Sequence, residues 1–230
     1  NVFVEDATFS IVAGAGTTHN LSIDGGSFDA DGTGTISLYE AGNNVDVTIS
    51  GPNNATIGSG GNSVSINRLT VVKDNLFDTL SVTAQLKLAT PANGTSMDLT
   101  SGTLILESIA GTPMDIILSN SDDFSIPQTA ALIVQGTSNA VSTVNGDIAL
   151  DGFLKIDATG EANIDGDIKY SNSGIATLEI NGTSIVNVGE QIRQDGTGTI
   201  AFTQTGGTCT VGSSSAGNNS HAVSYTHLTL

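Results

Sequence analysis

The chain has 230 residues, of which 23 are Asp or Glu and six are Lys or Arg, so its formal net charge is -17. Such an acidic chain repels phosphate backbones and anionic headgroups, which argues against nucleic acids and anionic membrane surfaces as partners. Aromatic residues make up only 4% of the chain, Trp is absent, and the 28 Gly have no Gly-x-y period, which excludes collagen. Small aliphatic side chains must therefore fill the core, which suits narrow stacked coils.

Short alternating apolar runs predict strands throughout the first part of the chain. The longest strictly alternating run, residues 80–88, would turn Leu80, Val82, Ala84, Leu86 and Leu88 toward the core. The segment 53–63 is polar and rich in Gly, which predicts a loop. The other predicted strands cover residues 2–13 (two strands), 21–23, 45–49, 64–73, 99–106, 114–118, 130–134 and 140–144.

The stretch 145–211 organises the chain, because short apolar runs return there again and again between tight turns. The runs are residues 148–150, 153–156, 163–165, 167–170, 177–180, 184–188, 199–202 and 209–211. Turn dipeptides that accept positive φ separate them: Asp151-Gly152, Asp165-Gly166, Asn181-Gly182, Asp195-Gly196 and Gly206-Gly207. Many short strands with such turns bury their apolar faces by stacking, as a solenoid or a sandwich does. No helical period is sustained, so helix is expected to be scarce.

Two short motifs recur and support stacking. The hexapeptide Asp-Gly-Thr-Gly-Thr-Ile occupies residues 31–36 and again 195–200, and Asn-Gly-Thr-Ser occupies residues 93–96 and 181–184. The spacing of the copies follows no fixed period, so we expect degenerate coils of unequal length.

Segments 67–73, 99–106 and 204–212 resemble the β-solenoid regions of large secreted surface proteins of Bacteroidetes-type bacteria. The resemblance covers most of the first 222 residues. It implies an all-β fold, a right-handed parallel β-helix of pectin-lyase-like shape with irregular coils, in an extracellular or cell-surface protein that is often adhesin-like. We predict one solenoid over residues 1–222, truncated at both ends. A β-sandwich of antiparallel hairpins is the alternative, because periodicity does not distinguish parallel from antiparallel pairing.

The last eight residues, 223–230, resemble the translation of a sequencing adapter, in which case the native sequence ends near Ala222. No apolar run in the sequence approaches the roughly 20 residues that a membrane-spanning helix needs. We therefore expect no membrane insertion.

Residues 29–40 have the spacing of an EF-hand calcium loop. The candidate ligands are Asp29, Asp31, Thr33 and Glu40, with Gly34 at the sixth position. Strand-like flanks and the Thr at the fifth position count against the site. The second copy of the hexapeptide also lacks acidic residues at the equivalent first and twelfth positions. A turn followed by a strand is the simpler interpretation, and calcium is the only cofactor that the sequence suggests.

Five carboxylates, Asp147, Asp151, Asp157, Asp165 and Asp167, resemble in their clustering the site of a β-helix glycosidase or lyase. A lyase also needs an Arg or Lys base, and the six cationic residues are widely spread. No catalytic motif accompanies them. Solvated carboxylates on turns and strands are the simpler interpretation, and we predict no catalytic residues.

The remaining candidate residues also have structural interpretations. Cys209 has no partner for an internal disulfide and is expected to be a small buried apolar residue. His19 and His221 are isolated, and no spacing suits zinc. The glycosylation-type sequons are interpreted as stacked polar residues and turns; they begin at Asn20, Asn54, Asn93, Asn181 and Asn218.

The function expected from these features is a non-catalytic structural or adhesin-like stalk that presents a long face to glycans or other cell-surface components. The alternative is a fragment of a carbohydrate-active β-helix enzyme. Three carboxylates in one exposed groove lined by aromatic residues would favour the enzyme, whereas a smooth polar face would favour the stalk.

Overall fold

The computed structural model describes residues 2–5, 8–10, 18–31, 34–40, 43–58, 63–89, 94–108, 114–144, 146–170, 173–212 and 223–225. All regular structure within these ranges is β-strand. The strands in chain order are β1 (Val2–Glu5), β2 (Thr8–Ser10), β3 (Thr18–Asp24), β4 (Phe28–Asp31), β5 (Thr35–Ser37), β6 (Tyr39–Glu40), β7 (Asn43–Gly51), β8 (Ala55–Ile57), β9 (Ser63–Ile66), β10 (Arg68–Lys73), β11 (Thr79–Val82), β12 (Gln85–Leu88), β13 (Gly94–Thr95), β14 (Met97–Ser108), β15 (Met114–Asn120), β16 (Phe124–Ile126), β17 (Ala130–Val144), β18 (Ile148–Leu150), β19 (Phe153–Ile156), β20 (Thr159–Ile164), β21 (Ile168–Tyr170), β22 (Ile175–Ile180), β23 (Ile185–Val188), β24 (Ile192–Gln194), β25 (Thr199–Gln204), β26 (Thr208–Val211) and β27 (Val223–Tyr225).

The strands wind into a β-solenoid of about seven turns, as predicted. Each turn places one strand on each of three faces. The first face contains β3, β7, β10, the start of β14, β16, β18, β21 and β24. The second face contains β1, β4, β8, β11, the end of β14, the start of β17, β19, β22 and β25. The third face contains β2, β5, β9, β12, β15, the end of β17, β20, β23 and β26.

Parallel pairing rules out the antiparallel sandwich that the sequence left open. Every ladder that links successive turns in the described residues is parallel. Antiparallel pairing there is confined to three short contacts, between β6 and β7, between β13 and β15, and between β26 and β27. The inward faces of successive strands therefore stack along one axis.

The core consists of columns of identical or similar side chains, one from each turn. On the second face, five leucines are register partners in sequence along the axis, and none is more than 1% exposed: Leu80, Leu104, Leu132, Leu154 and Leu178. A parallel column of Val, Leu and Ile runs beside it. Burying each leucine contributes about 1.5 to 3 kcal/mol relative to leaving it in water.

Corners between faces explain where the sequence and the structure differ. The alternating run 80–88 is two strands, β11 and β12, because the chain turns at Thr83. The alternation continues through the corner, so Ala84 and Leu86 are 2% exposed, while Leu88 is half-buried. Conversely, β17 runs without interruption through the corner that the sequence placed between two strands.

Two glycines allow long strands to bend at corners. Gly102 in β14 and Gly136 in β17 have φ values of 87° and 96°, in the left-handed region that favours glycine. A Cβ at Gly102 would also lie 2.2 Å from the Cβ of Lys73 in the previous turn. The corner is therefore too tight for a side chain.

The prediction of a loop over residues 53–63 was wrong in its first part. Ala55 and Ile57 are 2% and 0% exposed, and β8 pairs with β4 and β11. A strand of three residues offers only two inward positions, which is too few for a period to be recognised. β16 and β24 escaped prediction for the same reason.

The repeated hexapeptide does not mark the same position of two turns. Ile36 belongs to β5 on the third face, whereas Ile200 belongs to β25 on the second face. In both copies the end of the hexapeptide therefore leads into a strand. The expected irregular period is confirmed, since register partners on the second face are 28 residues apart from Leu106 to Val134 and 22 apart from Val134 to Ile156.

A discontinuity, here called the seam, crosses two of the three faces. On the first face β14 contacts β16, and on the third face β12 contacts β15, yet no ladder joins either pair within the described ranges. The second face continues through the same level by the pairing of β14 with β17. At the seam, neighbouring strands of the first and third faces therefore contact each other without a ladder in the described part of the chain, whereas the second face keeps its ladder.

The stacked leucine column predicts that core truncation is costly and local. Leu178→Ala removes a fully buried side chain from β22 and should lower the free energy of unfolding by about 2 to 5 kcal/mol, because the cavity cannot collapse between two turns. Ile175→Ala in the same strand alters a side chain that is 69% exposed and should change the free energy of unfolding by about 0.5 kcal/mol or less. Urea unfolding followed by circular dichroism measures both, and equal effects would contradict the stacking.

Candidate functional site

Carboxylates gather at one edge of the solenoid, where the chain enters the first face. We call the set Asp123, Asp147, Asp167, Lys169 and Arg193 the charged corner. Each of the three aspartates directly precedes a strand, β16, β18 or β21. The turns are held in register there by backbone hydrogen bonds, from Phe124 N to Asp147 O (2.8 Å) and from Ile148 N to Asp167 O (2.9 Å). The winding of the chain thus stacks one aspartate above another.

Cations of the same corner cross-link these carboxylates. The Lys169 Nζ lies 2.5 Å from Asp147 Oδ2 and 3.0 Å from Asp123 Oδ2, and the Arg193 Nε donates to Asp167 Oδ2. The hydrogen bond to Asp147, and then the one to Asp123, raise the pKa of Lys169 above its ordinary value. The ion pairs of Lys169 therefore connect three successive turns, and that of Arg193 adds a fourth.

Backbone amides occupy the second carboxylate oxygen of Asp147 and of Asp167. Asp147 Oδ1 accepts from Asp167 N at 2.8 Å, and Asp167 Oδ1 accepts from Gln191 N at 2.9 Å. Asp167 is only 6% exposed. Both aspartates thus cap the turn that follows them along the axis.

The predicted carboxylate cluster is brought together only in part. Asp147 and Asp167 meet at the charged corner, while Asp151 and Asp165 lie in turns between strands. Asp157 lies on the second face. Asp123, which the sequence analysis did not single out, also joins the cluster. Its signal was positional: an acidic or amide residue stands immediately before each of the strands β16, β18, β21 and β24.

Asp157 takes part in a separate ion-pair group. Lys155 Nζ lies 2.9 Å from Asp157 Oδ2 and 3.4 Å from Glu179 Oε1 of the next turn. The hydrogen bond to Lys155 is the main cause of a lowered pKa of Asp157. This arrangement, like the charged corner, joins neighbouring turns.

Glycoside hydrolysis requires one carboxyl group that holds a proton and a second that is ionised. At the charged corner, Asp123, Asp147 and Asp167 each have an ammonium or guanidinium group as ion-pair partner. The geometry of the charged corner therefore suits cross-linking of turns better than proton transfer.

The candidate calcium loop begins in β4 on the second face, includes β5 on the third face and ends in β6. Asp29 belongs to β4, and its Oδ1 accepts a hydrogen bond of 2.6 Å from Thr56 Oγ1. Partial burial raises the pKa of Asp29, which the hydrogen bond from Thr56 opposes. Asp31 and Glu40 lie in β4 and β6, but their side chains, and Thr33 altogether, lie outside the described residues. The strand-like flanks are confirmed, and the calcium site stays a prediction.

The other candidates take structural positions. Cys209 is fully buried in β26, and burial raises the pKa of its thiol to about 11. His19 is exposed in β3, and His221 lies outside the described residues. Two sequon asparagines each accept a hydrogen bond from the next turn, which agrees with their interpretation as stacked polar residues. Asn54 Oδ1 accepts from Thr79 N at 3.1 Å, and Asn181 Oδ1 accepts from the Thr205 hydroxyl.

A polar cleft of about 560 Å³ opens at the seam. Among the residues that line it are Tyr39, Asn44, Asn67, Arg68, Thr95 and Asp122. Pairing of the strands brings Tyr39 beside Asn44 and Arg68 beside Asp46. A smaller cleft of about 340 Å³ follows β14 and β16 and shares Thr95 with it. Sequence reasoning missed both clefts, because no pattern in the chain marks the level at which the ladders break.

Hydrogen bonds fix the side chains around the polar cleft. Asn67 Nδ2 donates to Asp46 Oδ1 at 2.6 Å. The Arg68 guanidinium group pairs with Asp98, whose Oδ1 accepts from Thr95 Oγ1 at 2.9 Å. The Arg68 Nε is buried without a hydrogen-bond acceptor. The cleft is thus preorganised and holds a polar atom whose hydrogen-bonding capacity is not used.

A scan against protein-family models and searches of curated proteins and of solved structures found no match to this chain. No helix in the described ranges is long and apolar enough to cross a membrane. Likewise, no group of three or more His, Cys, Asp or Glu side chains in those ranges has the geometry to hold a metal ion.

The charged corner should contribute measurably to stability. Asp167→Ala leaves the amide of Gln191 and the guanidinium group of Arg193 without their acceptor and should lower the free energy of unfolding by about 1 to 3 kcal/mol. Asp195→Ala removes a 63% exposed carboxylate 3.8 Å from Arg193 and should change it by less than about 0.5 kcal/mol. Urea midpoints compare the two variants, and a larger effect of Asp195→Ala would contradict the assignment.

The thiol of Cys209 should be unreactive in the folded chain. Because burial excludes reagent and raises the pKa of the thiol to about 11, Ellman's reagent at pH 8 should label little protein within an hour. Unfolding in guanidinium chloride restores a thiol pKa of about 8.5 and should give rapid labelling of one equivalent. Fast labelling of the native protein would contradict the burial of this strand.

Proposed function

We propose that the chain is a non-catalytic structural segment, an adhesin-like stalk of a surface protein from a Bacteroidetes-type bacterium. The observation that carries the proposal is the charged corner, where Lys169 and Arg193 engage the carboxylates as cross-links between turns. The resemblance of three segments to secreted β-solenoids supports an extracellular or cell-surface location. The acidic, polar composition supports a hydrated exterior.

The solenoid is suited to act as a spacer. Turns separated by about 4.8 Å give this segment an axial length of roughly 34 Å over about seven turns. Parallel ladders run along the axis, and the columns of buried leucines prevent neighbouring turns from slipping. Stability therefore accumulates with each added turn.

Hydrogen-bonded polar side chains on the outer surface also link neighbouring turns. Asn187 Nδ2 donates to Asn163 Oδ1 of the previous turn at 2.8 Å, and Asn163 Nδ2 donates to Glu161 at 2.9 Å. Such ladders hold the surface side chains in fixed, repeated positions. A repeated polar face can contact glycans or other cell-surface components at several turns at once.

A carbohydrate-active enzyme is the second candidate, because the fold gathers Asp123, Asp147 and Asp167 at one edge. All three of these carboxylates have a cationic partner, Lys169 or Arg193, which suits a cross-link between turns better than a proton donor. This feature makes the enzyme the weaker candidate.

The two functions differ in turnover. Purified protein incubated with a panel of neutral and uronate polysaccharides, with and without calcium, should release no reducing ends and no unsaturated products above a heat-denatured control. Turnover that is lost in Asp147→Asn and Asp167→Asn would establish the enzyme instead. As a stalk, the folded chain should also resist a protease that digests the urea-unfolded chain, and rapid cleavage within β17 to β25 would contradict the structural function.

A further inference from the structure

We propose that the polar cleft at the seam binds a neutral oligosaccharide. This inference rests on the proposed function and names a ligand for the stalk. It starts from the shape of the cleft. A concave site of about 560 Å³ opens beside the seam, where strands of the first and third faces in the described ranges lose their ladders. Sites for small ligands commonly have volumes of about 300 to 1,000 Å³.

The polar groups of the cleft include both hydrogen-bond donors and hydrogen-bond acceptors. Asn44 and Asn67 each carry an amide donor and a carbonyl acceptor, Asp122 adds a carboxylate, and Arg68 adds donors. Each hydroxyl group of a sugar is at once a donor and an acceptor, so a row of them satisfies such a mixed set. A ligand with only one kind of hydrogen-bonding group would leave half of the set without partners.

Charge favours an uncharged ligand. The guanidinium group of Arg68 already pairs with Asp98, and Asp46 accepts from Asn67. An anionic ligand would approach Asp122 and a chain of net charge -17 with little cation to compensate. The described part of the chain also presents no group of three or more side chains arranged to hold a metal ion.

One atom of the cleft residues has an unmet hydrogen bond. The Nε of Arg68 is buried without an acceptor, and such a donor costs about 1 to 3 kcal/mol until it is satisfied. A hydroxyl oxygen of the ligand can accept from the exposed part of the same guanidinium group, whose side chain is 42% exposed. Tyr39 supplies the aromatic surface on which the apolar face of a sugar ring can pack.

The cleft is preorganised for this task. The pairs between Tyr39 and Asn44 and between Arg68 and Asp46 belong to strand registers, so the backbone fixes their spacing. Thr95 and Asp98 hold the guanidinium group in one orientation. A ligand therefore meets side chains that need little ordering on binding.

The test uses saturation-transfer NMR on the full chain with cellohexaose, xylohexaose, mannohexaose and chitohexaose as neutral probes and hexagalacturonate as the anionic probe. At least one neutral probe should bind with a dissociation constant of about 1 mM or tighter, and hexagalacturonate should bind at least about tenfold more weakly. Failure of all four neutral probes to bind, or preferential binding of hexagalacturonate, would overturn the proposal.

Variants locate the site. Asn44→Ala and Arg68→Lys, the latter retaining the charge beside Asp98, should each raise the dissociation constant at least about tenfold. Thr203→Ala, on an exposed position of β25 far along the second face, should leave it unchanged. Circular dichroism and urea midpoints confirm that the variants are folded. Binding that Asn44→Ala and Arg68→Lys both leave intact overturns the site. An inert, protease-resistant chain that binds no glycan would refute the cleft alone and leave the structural function standing.

Discussion

Stacking of aliphatic side chains in register is the interaction on which the rest of this structure depends. The backbone ladders run along the solenoid axis, and each turn presents its inward residues directly above those of the turn before. A column such as the five leucines of the second face excludes water without a wide interior, so a chain with 4% aromatic residues can still form a continuous core. The exterior is then free to carry acidic and amide side chains, and ion pairs such as that of Lys169 with Asp147 link turns that the core has already aligned.

The same constraint decides where a ligand site can form. Where all three faces carry ladders, side chains of successive turns lie in register in rows. At the seam the first and third faces lose their ladders while the second keeps its own, and the space so created exposes Arg68, Thr95 and Asp122 around one cleft. The contrast between the charged corner and the polar cleft follows from this. The corner follows the ladder of β16, β18, β21 and β24, and its carboxylates form ion pairs with Lys169 and Arg193. The cleft lies at an interruption, and a buried guanidinium nitrogen there has no acceptor.

Much of the fold could be predicted from the chain because its elements are local. Alternating runs such as 153–156 and the Asp-Gly and Asn-Gly turns each encode a strand or a bend within a few residues, and their number indicates stacking. Corners were harder to predict, because alternation passes through Thr83 without a break and Ala84 is as buried as a strand residue. The site could not be predicted for a different reason. Arg68 and Asp98 are 30 residues apart, and they meet only because the turn from β10 to β14 places Leu69 beside Met97, 28 residues further on, while turns on the second face vary from 22 to 29 residues. A chain with no fixed period gives no means to align such distant positions.

The seam also bears on how the molecule responds to a load. Among the described residues, one ladder, between β14 and β17 on the second face, joins the turns across that level, whereas ladders on all three faces join the turns elsewhere. In a linear array of turns, each junction between neighbouring turns can open independently, so the junction with the fewest hydrogen bonds opens first. A pull along the axis would therefore part the solenoid into two blocks that each remain intact. The seam would then separate at a lower force than the ladders within each block, so the molecule would lengthen before either block unfolds.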